Sequence, residues 1–475
     1  MKKILKPEFF AVLLFIASFV WLFLLRPVVS VADNGDFARL MYAVGLDKFP
    51  DSFDNSYFHY AQIKFMTYPC IFGENAYITT HALTAFAAKY LCGLFSPQVF
   101  DVRFLAGLYM VFLLAGVFYI IRSMKTGKWY VDFLLTAAFA LVFCDPSYFA
   151  YVNSLFGEGS AFAFLFLILG ITLKISCSER EPSRLDLFLL FAALTLFFGS
   201  KMQYTLLFPL SLLILLPLWK YKALPRRPLI VGMSVMLVLN VGIYAVQPRD
   251  LPMDTIYNSV FFGLLKNAPD VHEAAQEIGV EEKYESLAGT NAYTEGTPRT
   301  LETPEFMDKF YKNTTRGKII LYYLRHVDQL WKGMEITADR SFDNQQGMYG
   351  NYLLSEGFAP SAHETGITWY NQLKTAVYPK SFLFLVLYYL IYFGSILWLL
   401  VKKRPKNPMR LWLMLFVLIL GVLQYPLPYL GNGEADIAKQ LYVFNMTFDF
   451  SLLGAVWTGL RKLLSFRECN HLNAK

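Results

Sequence analysis

Long apolar runs constrain this chain more than any other feature. Stretches of about 17–25 residues, the length at which a helix crosses the hydrocarbon core, recur from near the N-terminus to near the C-terminus. Within lipid, backbone N–H and C=O groups have no water to bond, so each run must satisfy its own as a helix. Only 17% of the 475 residues are charged and 56% are hydrophobic, whereas a soluble domain carries about 25% charged residues. The fold class is therefore an all-α polytopic membrane protein, a bundle of about ten transmembrane helices. The net charge of +7 does not signal nucleic acid, because the basic residues lie in short clusters between apolar spans. Five cysteines (Cys70, Cys92, Cys144, Cys177, Cys469) lack CxxC spacing and a histidine pattern, which speaks against zinc, a redox pair or a disulfide framework.

Ten spans are predicted at 8–25, 104–121, 130–145, 159–174, 186–200, 204–219, 229–247, 381–401, 411–427 and 441–459. With this count, one face collects Lys2/Lys3/Lys6, Arg122/Lys125/Lys128, Lys174/Arg180/Arg184, Lys220/Lys222/Arg226/Arg227, Lys402/Lys403/Arg404/Lys406/Arg410 and Arg461/Lys462/Arg467. The positive-inside rule makes that face cytoplasmic, so both termini are expected on the cytoplasmic side of the cell membrane. No small-residue cleavage site follows the first apolar run, which reads as a retained helix. The stretch 79–95 is long enough to cross, but a crossing there would put Arg122/Lys125/Lys128 outside; with His81 and Lys89 it reads as an interfacial helix. The fifth and sixth spans meet in a tight hairpin at Gly199-Ser200-Lys201. The chain thus divides into an N-terminal transmembrane module, 1–247, of seven spans with a first external loop at 26–102; a larger, mostly helical external segment, 248–379; and a C-terminal module, 380–475, of three spans and a tail. Within the external segment, helical signals fall at 254–265, 270–279 and 304–331.

Ionisable residues at the outer helix ends carry the functional signal, because polar groups at membrane depth are costly and usually face a cavity. Asp33-Asn34-Gly35-Asp36-Phe37-Ala38-Arg39 follows the first span. Its carboxylates either act as general base on a hydroxyl, or cap a helix beginning near Asp36 with Arg39 pairing Asp36. Glu158, set among Gly157, Gly159, Ser160 and Ala161, either favours a helix start or faces a ligand that the small residues admit. Lys201 is an isolated outer lysine, read as a partner for a lipid phosphate or as a snorkelling side chain. In the last block, Glu434, Asp436 and Lys439 lie on the rim. Asn445 and Asp449 lie within the span, four apart on one helical face, with Asp449 either a structural partner or part of a polar pocket. No Walker motif, HExxH or GxSxG occurs, and Gly431-x-Gly433 follows no strand. Chemistry on the outer face must then draw on a substrate already there, for which a lipid-linked donor is the natural candidate.

The chain resembles the GT-C superfamily of integral-membrane glycosyltransferases, and within it the WsfD-like hexose transferases of glycan biosynthesis. The resemblance is carried by Asn34-Gly35-Asp36-Phe37-x-Arg39, Asn153-Ser-Leu-Phe-Gly-Glu158 and Ser200-Lys201-x-Gln203, and by Asn258-Ser-Val-Phe-Phe-Gly263 through Gly279 and Leu287-Ala-Gly289. Gly433-x-x-x-Asp436-x-x-Lys439 through Asn445-x-x-x-Asp449 completes it. Gln440 departs from the pattern, in which a histidine follows the lysine. The resemblance implies a polyprenyl-phosphate-linked sugar donor, an external glycan acceptor and inversion at the anomeric carbon. It implies Asp36 as base with Asp33 second, Glu158 positioning the acceptor or acting as second acid, and Lys201 with Arg39 or Lys439 steadying the leaving phosphate. Gln203, Asp436 and Asn445 complete the expected substrate-binding set. No cofactor is called for, and a divalent cation is left open. The rival readings are a transporter or flippase of lipid-linked glycans, disfavoured by the lack of paired halves, and a ligase or polymerase of oligosaccharide units.

Overall fold

The computed structural model describes residues 6–50, 58–70, 76–178, 181–221, 224–247, 251–292, 303–343, 349–403 and 407–473. Of the basic clusters, Lys2, Lys3, Arg180, Lys222, Arg404 and Lys406 lie outside the described residues, as does the side chain of Arg467. Six described helices are long and apolar enough to cross a membrane: Pro7–Leu24, Arg103–Ser123, Gly157–Cys177, Arg226–Ala245, Phe382–Lys403 and Met409–Asn432. Trp129–Phe143 and Pro146–Asn153 pass the same test only when taken together, and they meet at a 54° bend. The bend falls at Asp145-Pro146: proline drives the residue before it out of the helical region, and the Asp145 carboxylate caps the restart by accepting from Ser147 N at 2.9 Å.

The remaining expected spans take other forms. Arg184–Phe198 is a 15-residue helix opened by a capping box, Ser183 and Asp186 exchanging side-chain and backbone hydrogen bonds. The 204–219 span is not one helix. It breaks into Met202–Thr205, Phe208–Ser211, Leu212–Leu215 and Leu216–Lys220, with Pro209 and Pro217 opening two of the pieces, because an interior proline removes a backbone donor and clashes with the preceding turn. The last expected span lies within the helix Tyr442–Asn473.

Contacts tie the helix ends into two sets. At one end Lys125 Nζ pairs with Glu8 at 2.7 Å, Arg410 donates to Ser123 O at 3.3 Å, Asn407 to Ser176 O at 3.0 Å and Tyr221 to Ile175 O at 3.4 Å. At the other end Thr80 N donates to Gly199 O at 2.9 Å, Gln247 to Ile78 O at 2.9 Å and Gln203 to Gln424 at 2.8 Å. Between them, the Arg103–Ser123 and Gly157–Cys177 helices cross with backbones almost touching. A Cβ on Gly170 would fall 2.5 Å from Gly116 O, the close approach that small residues permit between membrane helices. Phenylalanines fill the interior beside this crossing, Phe143 stacking on Phe450 with centroids 4.3 Å apart and meeting Phe166 at 5.0 Å.

Thr80–Gly93 forms the helix expected at 79–95, capped by Thr79. Its polar residues are answered by protein: His81 bonds Tyr109 at 2.6 Å and Leu155 O at 2.9 Å, and Lys89 Nζ donates to the carbonyls of Val44, Gly45 and Tyr68. Above it, Leu46–Asp47, Lys64–Thr67 and Val99–Asp101 form a three-stranded antiparallel sheet.

The 248–379 segment is bound into the bundle. Its strand Tyr349–Tyr352 pairs antiparallel with Val29–Val31 in the first loop. Its core (Tyr257, Phe261, Phe306, Phe310) is continuous with Tyr429, Phe444 and Phe448 of the C-terminal module. The helix expected at 270–279 is Val271–Ile278, capped by Asp270 and ended by Gly279 at φ +83°. The 304–331 signal divides into Pro304–Phe306, Met307–Tyr311, Arg316–Arg325 and Val327–Asp339, the third opened by Thr315, whose hydroxyl accepts from Lys318 N.

Candidate functional site

The site lies at the end of the bundle where the first helix stops, the Gly157–Cys177 helix begins and the Arg184–Phe198 helix stops. After the first helix the chain turns through Asp33–Asp36 into the helix Phe37–Val44. Asp33 Oδ1 accepts from Gly35 N at 2.7 Å and Phe37 N at 3.2 Å, closing that turn. Its other oxygen meets Lys48 Nζ at 2.7 Å, both side chains almost wholly enclosed. Asn34 Oδ1 accepts from Asp36 N at 3.3 Å, and Arg39 pairs with Asp36 at 3.0 Å. The capping reading therefore applies, with Asp33 and Asn34 shaping the helix start and Arg39 pairing Asp36, and a third of the Asp36 side chain is left exposed.

A second segment, far away in sequence, meets this turn. Lys439 Nζ lies 2.5 Å from Asp36 Oδ2 and also binds Asp436, so one ammonium joins the two carboxylates. Asp436 further accepts from Asn34 Nδ2 at 3.2 Å and from the Tyr349 hydroxyl at 3.0 Å. The loop carrying Asp436 is seated by Gly433, at φ +58°, where an added Cβ would fall 2.3 Å from Asn258 O. Asn258 Nδ2 donates to Asn432 at 3.0 Å, and Lys266 pairs with Glu434 at 2.8 Å. The 258–263 block thus serves to hold the Gly431–Asp436 loop.

The third contribution is Glu158, in the first turn of Gly157–Cys177, whose Oε1 meets Lys201 Nζ at 2.5 Å. The small residues flanking Glu158 admit protein: a Cβ on Gly159 would fall 2.4 Å from Tyr151 O, and one on Gly157 would sit 3.3 Å from the Lys201 stem. Glu158 is fully buried, and its Oε2 has no hydrogen-bond partner, nor do the nearby hydroxyls of Tyr151 and Tyr204. Tyr77 accepts from Met202 N at 3.1 Å, fixing the Lys201 turn.

These groups act on one another electrostatically. Burial pushes the Asp36 carboxyl up, but Lys439, Arg39 and Lys201 outweigh it and hold the group well below the usual carboxylate range. Burial raises Asp436, and the neighbouring Asp36 charge adds to it against the pull of Lys439. Burial works against the Lys439 charge, yet Asp36 and Asp436 together raise that amine, and Glu158 does the same for Lys201. At neutral pH the site therefore holds an ionised Asp36 flanked by three cations. Among the described residues no group of three or more His, Cys, Asp or Glu side chains is placed to hold a metal ion.

Asp36, Arg39, Glu158, Lys201, Asp436 and Lys439 thus come together, and Gln203 joins the Lys201 turn to Gln424. Asn445 lies instead in the buried seam with the external segment, accepting from Phe342 N at 3.2 Å. Asp449 resolves as a structural partner: Tyr148 and Tyr370 donate to it at 2.5 and 2.6 Å, and Lys374 lies 3.4 Å away. Sequence reasoning missed Tyr77, Tyr151, Tyr204 and Tyr349. In a chain with 30 tyrosines, no spacing distinguishes these four.

A helical bundle with several spans and a polar, charge-dense cluster at one end defines a multi-pass membrane protein. The chain belongs to the family described as the YfdI N-terminal transmembrane domain, whose pattern matches residues 1–474. No curated protein and no solved structure matches it.

Proposed function

We propose that this protein is a membrane glycosyltransferase of GT-C type, moving a hexose from a polyprenyl-phosphate-linked donor to a cell-envelope glycan on the external face, with inversion. The observation that carries this reading is Asp36: a carboxylate one-third open, backed by Lys439, Arg39 and Lys201. The family placement, which points to a glycan-related function in the membrane, supports it.

In the proposed step the acceptor hydroxyl oxygen forms a bond to the anomeric carbon. The bond from that carbon to the phosphate oxygen breaks with its electron pair going to the phosphate, and the hydroxyl proton passes to Asp36. Developing charge on the departing phosphate is met by cations already in place, so little reorganisation is required as the bond breaks. The same cations hold Asp36 ionised but weaken it as a base. A phosphate that draws Arg39 and Lys439 to itself relieves that hold, so donor binding raises the basicity of Asp36 when the acceptor arrives. Asp33 is set aside as base, because both its oxygens are engaged and its side chain is enclosed. Glu158, with one buried oxygen unpartnered, is suited to accept a hydroxyl from the sugar or acceptor.

The site faces the external side in this reading. The basic clusters at the opposite end are taken as the cytoplasmic face, where ten traverses, counting 202–220 and the start of Tyr442–Asn473, would leave both termini. A detergent assay tests the function: purified protein should transfer sugar from a polyprenyl-phosphate donor to a glycan acceptor with no membrane present. A transporter has no sides to work between in detergent, so absence of transfer there, with lipid-linked glycan uptake into vesicles, would overturn the enzyme reading.

A further inference from the structure

At the end of the bundle remote from Asp36, a half-open cavity of about 130 Å³ lies among the helices Trp129–Phe143, Arg103–Ser123, Gly157–Cys177, Phe382–Trp398, Met409–Gln424 and Tyr442–Asn473, lined by Phe139, Leu169, Val417, Phe450, Trp457 and Arg410. Its walls are mostly apolar, and apolar atoms seated there would gain dispersion contacts. Of the polar groups that border it, the hydroxyls of Tyr392, Ser451 and Thr458 donate to backbone carbonyls, and two others are less well answered. The Trp457 indole is 2% exposed, and its N–H has no acceptor, a donor left unsatisfied at some cost. The Arg410 guanidinium reaches only neutral groups, Ser123 O, Ser176 Oγ and Cys177 Sγ, and has no carboxylate partner among the described residues. A cavity needing apolar atoms, an indole needing an acceptor and an arginine needing an anion together describe one lipid.

We propose that this cavity is a binding site for an anionic glycerophospholipid, with one acyl chain among the phenylalanines and leucines, an ester oxygen on Trp457 Nε1–H and the phosphate on Arg410. Basic pockets between membrane helices at the cytoplasmic surface bind such headgroups. The site is separate from the Asp36 cluster. Trp457 lies about 22 Å of helix beyond Tyr442, so one lipid phosphate cannot serve both ends.

The test is native mass spectrometry of the full chain in neutral detergent, with phosphatidylglycerol and phosphatidylcholine supplied equally. The wild type should retain phosphatidylglycerol over phosphatidylcholine by about fivefold, the worth of one cationic side chain at an anionic surface. Arg410→Gln should erase the preference, and Arg410→Lys should keep most of it. Gly454→Leu should weaken both lipids, since Gly454 lines the cavity and an added Cβ meets only Tyr392 Oη, at 4.0 Å. Equal retention of the two lipids by the wild type overturns the proposal, as does an unchanged preference in Arg410→Gln. Displacement of phosphatidylglycerol by added polyprenyl phosphate also overturns it, because the occupant is then the donor lipid. If Arg410→Gln fails to insert, Gly454→Leu decides, and undiminished phosphatidylglycerol binding by that variant counts against the site.

Discussion

Two acidic centres draw on residues of the C-terminal module about a dozen positions apart, Asp436 and Asp449, and differ in how they are closed. Asp449 is wholly enclosed with Lys374, both side chains fully buried, and its two oxygens are taken by Tyr148, Tyr370 and Lys374. Asp36, with Lys439 and Asp436, is satisfied from behind and open in front. A buried charge with both oxygens engaged holds elements together: here the last helix, the bent segment at Pro146–Asn153 and the 248–379 segment. A charge with cations behind it and solvent before it is where the proposed function seats its substrates. Enclosure, rather than the presence of acid and lysine, separates scaffold from site.

Removing the enclosed partner should give the larger stability effect. Asp449→Ala strands Lys374 without its ion-pair partner and removes the carboxylate that accepts from Tyr148 and Tyr370, which should cost about 3–5 kcal/mol, read as a lowered unfolding midpoint in detergent. A midpoint within a degree or two of wild type would break the distinction drawn between the two centres.

Lys439→Met probes the open centre. In the wild type Asp36 titrates below the usual carboxylate range, so it is ionised from mildly acidic to mildly basic pH and does not limit transfer there. Without Lys439 it loses its closest cation and still faces Asp436, so its pKa should rise by about 1–3 units. Transfer should then fall as pH is lowered through that higher value, visible as an acid limb in kcat/KM against pH. The sign for stability agrees. A carboxylate whose pKa is depressed on folding stabilises the fold above its unfolded value, and that contribution fades as pH falls through the folded one. A flat profile in Lys439→Met would refute the coupling.

Arg39→Gln should have the smallest effect. Arg39 is more than a third exposed, and such pairs are worth about 0–1 kcal/mol. The expected outcome is an unchanged unfolding midpoint, with a rise in KM for donor of about fivefold at most.

How far this was legible from sequence varied with the kind of interaction. Apolar length located helices such as Arg103–Ser123 and Gly157–Cys177 to within a few residues, because the bilayer imposes that length. It did not register the form of 204–219, where Pro209 and Pro217 break one expected helix into short pieces. In the site, the cap-forming role of Asp33 and the Arg39–Asp36 pair follow from local spacing and were readable. That Lys439 reaches Asp36 across some four hundred positions, or that Lys48 neutralises Asp33, depends on tertiary closure. No periodicity carries that information. Asn445 and Asp449 share a helical face as their spacing requires, yet only packing shows that both meet the external segment and its seam.

The most direct measurement is sugar transfer from a polyprenyl-phosphate donor by Asp36→Asn beside Asp33→Asn, each checked for folding by its unfolding midpoint. Loss of the general base should lower kcat by about 10²–10⁴ in Asp36→Asn with its midpoint unchanged, while Asp33→Asn should lose stability and keep its rate per folded molecule. Retained transfer by a folded Asp36→Asn would contradict the assignment of Asp36 as base.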